Sequence, residues 1–241
     1  MSEILDALSD YGPQIRDGLS VTLQLSLGGA VLAFIVAVIL GLAAISGHAV
    51  PRTISRIIVE FFRGTSLVVQ LFFIYYVFPG FGLELDAITC GVIALGLNYG
   101  AYGSEVVRGS LNAVPKGQWE TATALSMPWV TKVRRIIWPQ AWALMLPGLN
   151  NLMIMLIKGT AIAFLIGLHD LTYATNEMRK DGVEVMAAYT IGFVIYYLIS
   201  LVFYGLLRVL ERRAQRRLGI TVTTSDPAQT AGAAATAGAV A

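Results

Sequence analysis

A chain of 241 residues that is 56% hydrophobic and only 13% charged carries about half the charge that normally covers a soluble domain. That disfavours a water-soluble globule, and a formal net charge of +2 disfavours nucleic-acid binding. The single cysteine, Cys90, excludes an intramolecular disulfide and any multi-cysteine metal site.

Apolar stretches of about 20 residues can cross a hydrocarbon core, and five are found. Residues 1–18 are acidic and lack the basic start of a cleavable signal peptide, so they read as an extracytoplasmic segment. The first span is predicted from Leu19 to Ile45 and the second from Ile57 to Pro79. The third, Ala87 to Val107, carries glycines at 91, 96, 100 and 103 that suit close helix packing in lipid. The fourth, Trp138 to Ile157, leads into a further apolar stretch from Thr160 to Leu168, and the fifth runs from Met186 to Val209. After Ile220 the composition turns to Ala, Thr and Gly, so 221–241 reads as a disordered cytoplasmic tail. The expected class is therefore an all-α integral membrane protein whose transmembrane domain fills 19–220.

Basic residues alternate between the connecting segments. Arg52 and Arg56 lie after the first span, Arg108, Lys116, Lys132, Arg134 and Arg135 after the third, and Arg208, Arg212, Arg213, Arg216 and Arg217 at the end of the last. The opposite side has only Arg16, Arg179 and Lys180. The positive-inside rule then predicts an extracytoplasmic N-terminus and a cytoplasmic C-terminus. No internal repeat is present, and an odd number of spans argues against an inverted-repeat carrier.

The loop at about 112–137 reads as a helix from Pro115 to Leu125, a break, and a second helix that Ser126 caps with Pro128 in its first turn. Trp119, Ala122 and Leu125 or Ser126 share a face whose small neighbours let another protein approach. A hairpin lying among lipid headgroups through Trp119 and Trp129 is the alternative.

Within that loop Glu120, Thr121, Ala122, Ser126, Ile136 and Pro139 match the spacing of the EAA motif: Glu-Ala-Ala, three residues, Gly, nine residues, Ile, two residues, Pro. The chain thus resembles the inner-membrane permeases of ATP-binding-cassette importers, departing at Thr121, where the motif has Ala, and at Ser126, where it has Gly. The resemblance extends through EFFRGTSLVVQLFFIYY (60–76), LNYGAYGSEVVRG (97–109), VPKGQWE (114–120), PQA (139–141) and IKGTAIAFLIGLHDLT (157–172). These are similar to the polar amino-acid (HisM/GlnP-like) family, and GTS at 64–66 with LNYGAYGSEVVRG is most similar to its ectoine and hydroxyectoine branch. The resemblance implies the type I importer fold, with five transmembrane helices and a cytoplasmic coupling helix. It also implies transport of a polar amino acid or compatible solute, the alternative being a permease of glutamine, glutamate, arginine, histidine or cystine type.

The implied partners are ABC ATPase subunits, a second permease copy or paralogue, an extracytoplasmic solute-binding protein and membrane lipid. Coupling to the ATPase would fall to Glu120, Thr121, Ala122, Leu125, Ser126, Met127 and Pro128. No GxxxxGK[ST] phosphate loop exists and the dipeptide Gly-Lys is absent, so ATP and Mg belong on the partner ATPase rather than on this chain.

Polar residues within spans require interior partners or a wet path. Arg63, Ser66 and Gln70 are spaced to share one helical face, as are Asn98, Tyr102 and Glu105. Gln70, Asn98, Tyr102, Glu105, Asn151 and Lys158 are the candidate lining of a solute path. Against that stands a structural role: ion pairs of Glu60, Arg63, Glu105 and Arg108 holding helices together, and interhelical hydrogen bonds at Asn98, Tyr102 and Asn151. His169 and Asp170 read as loop or binding-protein contacts, one His and one Asp being too few for a metal site. No paired carboxylate or nucleophile constellation supports an integral membrane enzyme, and a channel or ATP-independent carrier leaves the EAA spacing unexplained.

Overall fold

The computed structural model describes residues 10–218, and the side chains of 10–214. Most of the acidic start and the whole of the 221–241 tail lie outside the described residues. Among the described residues every regular element is helical.

α1 (Gly12–Ala44) spans 33 residues, about 50 Å at 1.5 Å per residue. A short turn leads to α2 (Ala49–Gly64) and α3 (Leu67–Phe72), which continues through a π turn, Phe73–Val77, and a 3-10 turn, Phe78–Phe81. Asp86 caps α4 (Ala87–Ala113), accepting from the Thr89 amide at 3.0 Å and the Thr89 hydroxyl at 2.6 Å. Those bonds hold its carboxyl below the ordinary carboxylate range. α5 (Lys116–Ala124) and α6 (Trp129–Lys132) form the loop elbow. A π turn, Val133–Ile137, feeds α7 (Trp138–Gly159), followed by a 3-10 stretch, Thr160–Ile166. α8 (Leu171–Lys180) and α9 (Val185–Leu218) complete the described chain.

α1 and α4 form the centre of the bundle, parallel and close, with Gly28 against Val92 at one end of the contact and Gly41 against Val107 at the other. A Cβ on Gly100 would stand 2.7 Å from Val36 Cβ and 3.1 Å from the Ala33 carbonyl oxygen; one on Gly96 would stand 2.5 Å from Leu32. Bare backbone at those two positions sets the helix separation. One apolar cluster (Leu25, Leu71, Ile74, Leu95, Ile166) fills one end of the bundle. A second (Val107, Leu111, Ile137, Met145) fills the other.

The five-span expectation is refined. Three helical stretches are long and apolar enough to cross a membrane: Gly12–Ala44, Trp129–Ile166 and Val185–Ala214. A fourth is the pair Ala49–Gly64 and Leu67–Phe81, bent by 101°. The stretch expected as one span from Ile57 to Pro79 is therefore broken at Thr65 and Ser66, both extended, with ψ of 151° and 132°. α4 has 27 residues, about 40 Å, but does not qualify on apolarity, because its glycines and polar side chains face protein rather than lipid. Conversely, the two apolar stretches expected around residues 138–168 form one run, Trp129–Ile166, that absorbs the second helix of the elbow.

Candidate functional site

The break between α2 and α3 frees backbone carbonyls that a continuous helix would satisfy, and at membrane depth each needs a partner. The Thr65 hydroxyl donates to the Phe61 carbonyl at 2.8 Å. Gln70 Nε2 donates to the Phe62 carbonyl at 2.9 Å and to Thr65 Oγ1 at 2.6 Å. From α4, Asn98 Nδ2 donates to the same Phe62 carbonyl at 3.1 Å and to Gln70 Oε1 at 3.2 Å. The Tyr102 hydroxyl reaches the Arg63 carbonyl at 3.5 Å, and the Arg63 guanidinium lies 5.2 Å from the Tyr102 ring centre. Three sequence-selected residues, Gln70, Asn98 and Tyr102, thus converge on one broken helix end. Asn98 and Gln70 are buried.

Beside this joint α1, α2 and α4 enclose a charged cavity of about 440 Å³, walled by Arg52, Arg56, Glu60, Arg63, Glu105 and Arg108. Its ion pairs are Arg56–Glu60 at 2.8 Å and Arg108–Glu105 at 2.6 Å. Each joins residues of one helix, so the expected helix-to-helix pairing of these four charges does not form. The shared face of Arg63, Ser66 and Gln70 also fails, because it presumes a continuous helix through the break. Asn98, Tyr102 and Glu105 share the face of α4 that meets α2. Asn151 and Lys158 stand apart, exposed on α7 and outside the cavity lining; Asn151 Nδ2 lies 3.9 Å from Met155 Sδ. Arg52 and Arg56, which sequence reading used only for topology, belong to the cavity. The amphipathic pattern of α2, with Val50, Ile54, Ile57 and Phe61 on the exposed side, was the signal that identifies their shared face.

The elbow at the end of α5 has a defined geometry. Ser126 sits at φ 54°, the one non-glycine residue with positive φ among the described residues. Its amide donates to the Thr123 carbonyl at 2.9 Å and the Met127 amide to the Ala122 carbonyl at 3.1 Å. This pair of bonds is the Schellman helix stop, with serine where glycine is usual. Ser126 therefore ends α5 rather than capping the next helix; Pro128 occupies that N-cap, with no side-chain hydrogen bond. Ala122 is wholly buried and Trp119 packs on the cluster around Ile137. The face those two share therefore points into the protein's own bundle, not outward as expected. Glu120, Thr121, Leu125, Ser126 and Pro128 are exposed, and Met127 is half-buried. Leu125 stands 68% open to solvent, an apolar knob at the elbow tip.

At the far end of the bundle Asp170 is fully buried and caps α8, accepting from the Tyr173 amide at 2.9 Å and the Tyr196 hydroxyl at 3.2 Å. It cannot touch a partner protein as the sequence suggested, since no part of it reaches the surface. Burial pushes its carboxyl above the ordinary carboxylate range. His169 stacks on Tyr173 at 4.2 Å.

Residues 29–216 match the family model of the binding-protein-dependent transport system inner membrane component. The chain is 35% identical over 207 residues to the L-cystine transport system permease protein TcyB of Bacillus subtilis (strain 168), covering 86% of this chain and 88% of the relative. It is 33% identical over 202 residues to the arginine transport system permease protein ArtQ of the same organism, covering 83% and 92%. Its fold is similar to a chain in the crystal structure of an amino acid ABC transporter with histidines, at TM-score 0.77 and 33% identity over 86% of this chain and 96% of that one.

Proposed function

The chain belongs to the family of binding-protein-dependent transport system inner membrane components and is a multi-pass membrane permease of the amino-acid ABC importer type; from that premise we propose how its two sites divide the work. The elbow docks on a separate ATPase subunit. Leu125 enters the ATPase as an apolar knob, flanked by Glu120, Thr121, Ser126, Met127 and Pro128, while Trp119 and Ala122 transmit its movement inward. The observation that carries this reading is the Schellman stop at Ser126. It fixes an exposed tip on a helix whose other face is buried in the permease core, so a displacement of the tip moves packed side chains rather than a loose loop.

The charged cavity beside the α2–α3 break is the solute path. Its guanidinium and carboxylate walls suit a zwitterion, with the amides of Gln70 and Asn98 and the hydroxyl of Tyr102 bracing the joint. Asn151 and Lys158 lie outside that cavity, and because an exposed amide and ammonium on an apolar span are tolerated only beside water or protein, they face a continuation of the path or a partner subunit rather than lipid. A second permease subunit, by the same reasoning, covers that face of α7. The N-terminus is extracytoplasmic and the C-terminus cytoplasmic, supported by the distribution of arginines and lysines. The solute is a polar amino acid or an amino-acid-like compatible solute, with the ectoine type favoured by the 64–66 and 97–109 segments.

The test is Glu120→Lys in the reconstituted complex. ATP-driven solute uptake and ATPase co-purification are both expected to fall, and unchanged values for both would refute the docking assignment. Retention of labelled ectoine against glutamine, arginine and cystine by the partner binding protein decides the solute class.

A further inference from the structure

A second cavity, of about 290 Å³, lies between α1, α7 and α9, with Tyr99 and Gly103 of α4 also in its lining. One wall is the small-residue face of α1 (Ala30, Ala33, Ala37), the floor is α7 with Trp142 and Asn150, and the other wall is α9 with Leu207 and Leu210. Away from the cavity, α1 and α9 both pack on the cluster of Ile157, Leu171 and Ile199, through Leu19, Leu23, Ile195 and Tyr196, and the cavity is a cleft between the two helices over α7. Three of the stretches that build it are those apolar enough to face a bilayer. A cleft lined mostly by apolar side chains, on helices of that kind, is complementary to an alkyl chain.

The end at Trp142 carries the second half of the site. Trp142 lines the cleft, and Trp138 stacks on it with ring centres 6.3 Å apart. Paired tryptophans at a helix end mark the level of the membrane interface. Arg134 and Arg135 lie within the turn before Trp138, and Arg212 and Arg213 follow Leu210 by less than one turn on the α9 wall. All four are exposed, and among the described residues none has an ion pair. The acid of this region is Glu211, which has an interaction of its own. The floor and one wall of an acyl-sized cleft thus lead to arginines at headgroup height.

We propose that the cleft between α1, α7 and α9 is a binding site for one anionic phospholipid, an acyl chain lying along Ala30, Ala33 and Ala37 and the headgroup phosphate held by Arg134, Arg135, Arg212 and Arg213. The phosphate is taken at the interface, where a basic residue contributes about 1 kcal/mol toward an anionic lipid, equivalent to about fivefold in affinity. The site requires only that the chain resides in a membrane and is independent of which solute it carries.

The test uses the full chain in nanodiscs, with Trp119, Trp129 and Trp138 changed to phenylalanine so that Trp142 reports alone. Phosphatidylglycerol with brominated chains is expected to quench Trp142 at several-fold lower mole fraction than brominated phosphatidylcholine. R134Q with R212Q is expected to abolish that preference while leaving general quenching by either lipid. Ala33→Phe, which fills the cleft, is expected to weaken quenching by both. Independently, mass spectrometry of the wild-type protein after detergent washing is expected to find phosphatidylglycerol retained, and the arginine variant to have lost it. Equal quenching by the two lipids, or none by either, would overturn the proposal. So would loss of the preference on adding millimolar inorganic phosphate, which would reassign the arginines to a soluble anion.

Discussion

Ser126→Gly is expected to strengthen the elbow. A non-glycine residue in the left-handed region costs about 1–2 kcal/mol, and Ser126 is held there at φ 54° by the two bonds that close the end of α5. Glycine removes that strain but adds about 0.4–1 kcal/mol of unfolded-state freedom, so the net gain is about 0.5–1 kcal/mol. The turn opens locally, and the direct measure is amide exchange of Met127, whose N–H donates to Ala122. A gain of that size slows exchange by about two- to fivefold. Ser126→Val should act oppositely, because a β-branched residue is a genuine outlier at positive φ, and exchange should quicken by more than the glycine variant slows it. If Met127 exchanges at the same rate in all three proteins, or more slowly in the valine variant than in the glycine one, the elbow is not conformationally strained and the reasoning fails.

Four further outcomes follow from the packing. Gly100→Ala should lower thermal stability by about 1–3 kcal/mol, because the new methyl meets Val36 and the Ala33 carbonyl, whereas Gly109→Ala, with open space around it, should not; equal melting temperatures would contradict the close α1–α4 contact. Gln70→Leu should cost about 1–3 kcal/mol by removing the amide donor from the Thr65 carbonyl and the acceptor of Asn98, leaving the Phe62 carbonyl to Asn98 alone. Combined with Asn98→Leu its effect should be less than additive, since either single variant already breaks the Asn98–Gln70 hydrogen bond. Asp170→Asn should flatten the pH dependence of unfolding. Because burial raises the Asp170 carboxyl, its protonated form favours the fold, that contribution is present at low pH, and it fades as pH rises through the native value; a variant with the wild-type pH profile would count against this.

Much of the architecture was legible before any coordinates. An apolar first span, a glycine-bearing partner and a strongly apolar last span are properties of composition and period, which a bilayer converts directly into helices; that the first helix begins at Gly12, seven residues before the expected Leu19, was not. The elbow was legible as well, since Ser126-Met127-Pro128 interrupts a helical pattern. What Ser126 does there was not: a cap for the following helix and a stop for the preceding one use the same residue type, and only the dihedral separates them. Ala122 shows a related limit. Helical spacing groups it with Trp119 on one face but cannot say whether that face meets a partner or the chain's own core.

The polar residues within spans divide the same way. That Gln70, Asn98, Tyr102 and Glu105 need partners follows from the cost of bare polar groups in lipid, and the sequence alone required it. That three of them serve backbone carbonyls depends on the 101° bend after Gly64, and no periodicity announces a bend whose stability comes from an amide on another helix. Composition and spacing therefore determined the class of protein, its membrane residence and the residues under polar constraint, because those depend on local chemistry and the solvent. Where each polar group finds its partner, which face of the elbow is free and which of two cavities is charged were decided by tertiary structure alone, because each depends on atoms brought together from far apart in the chain.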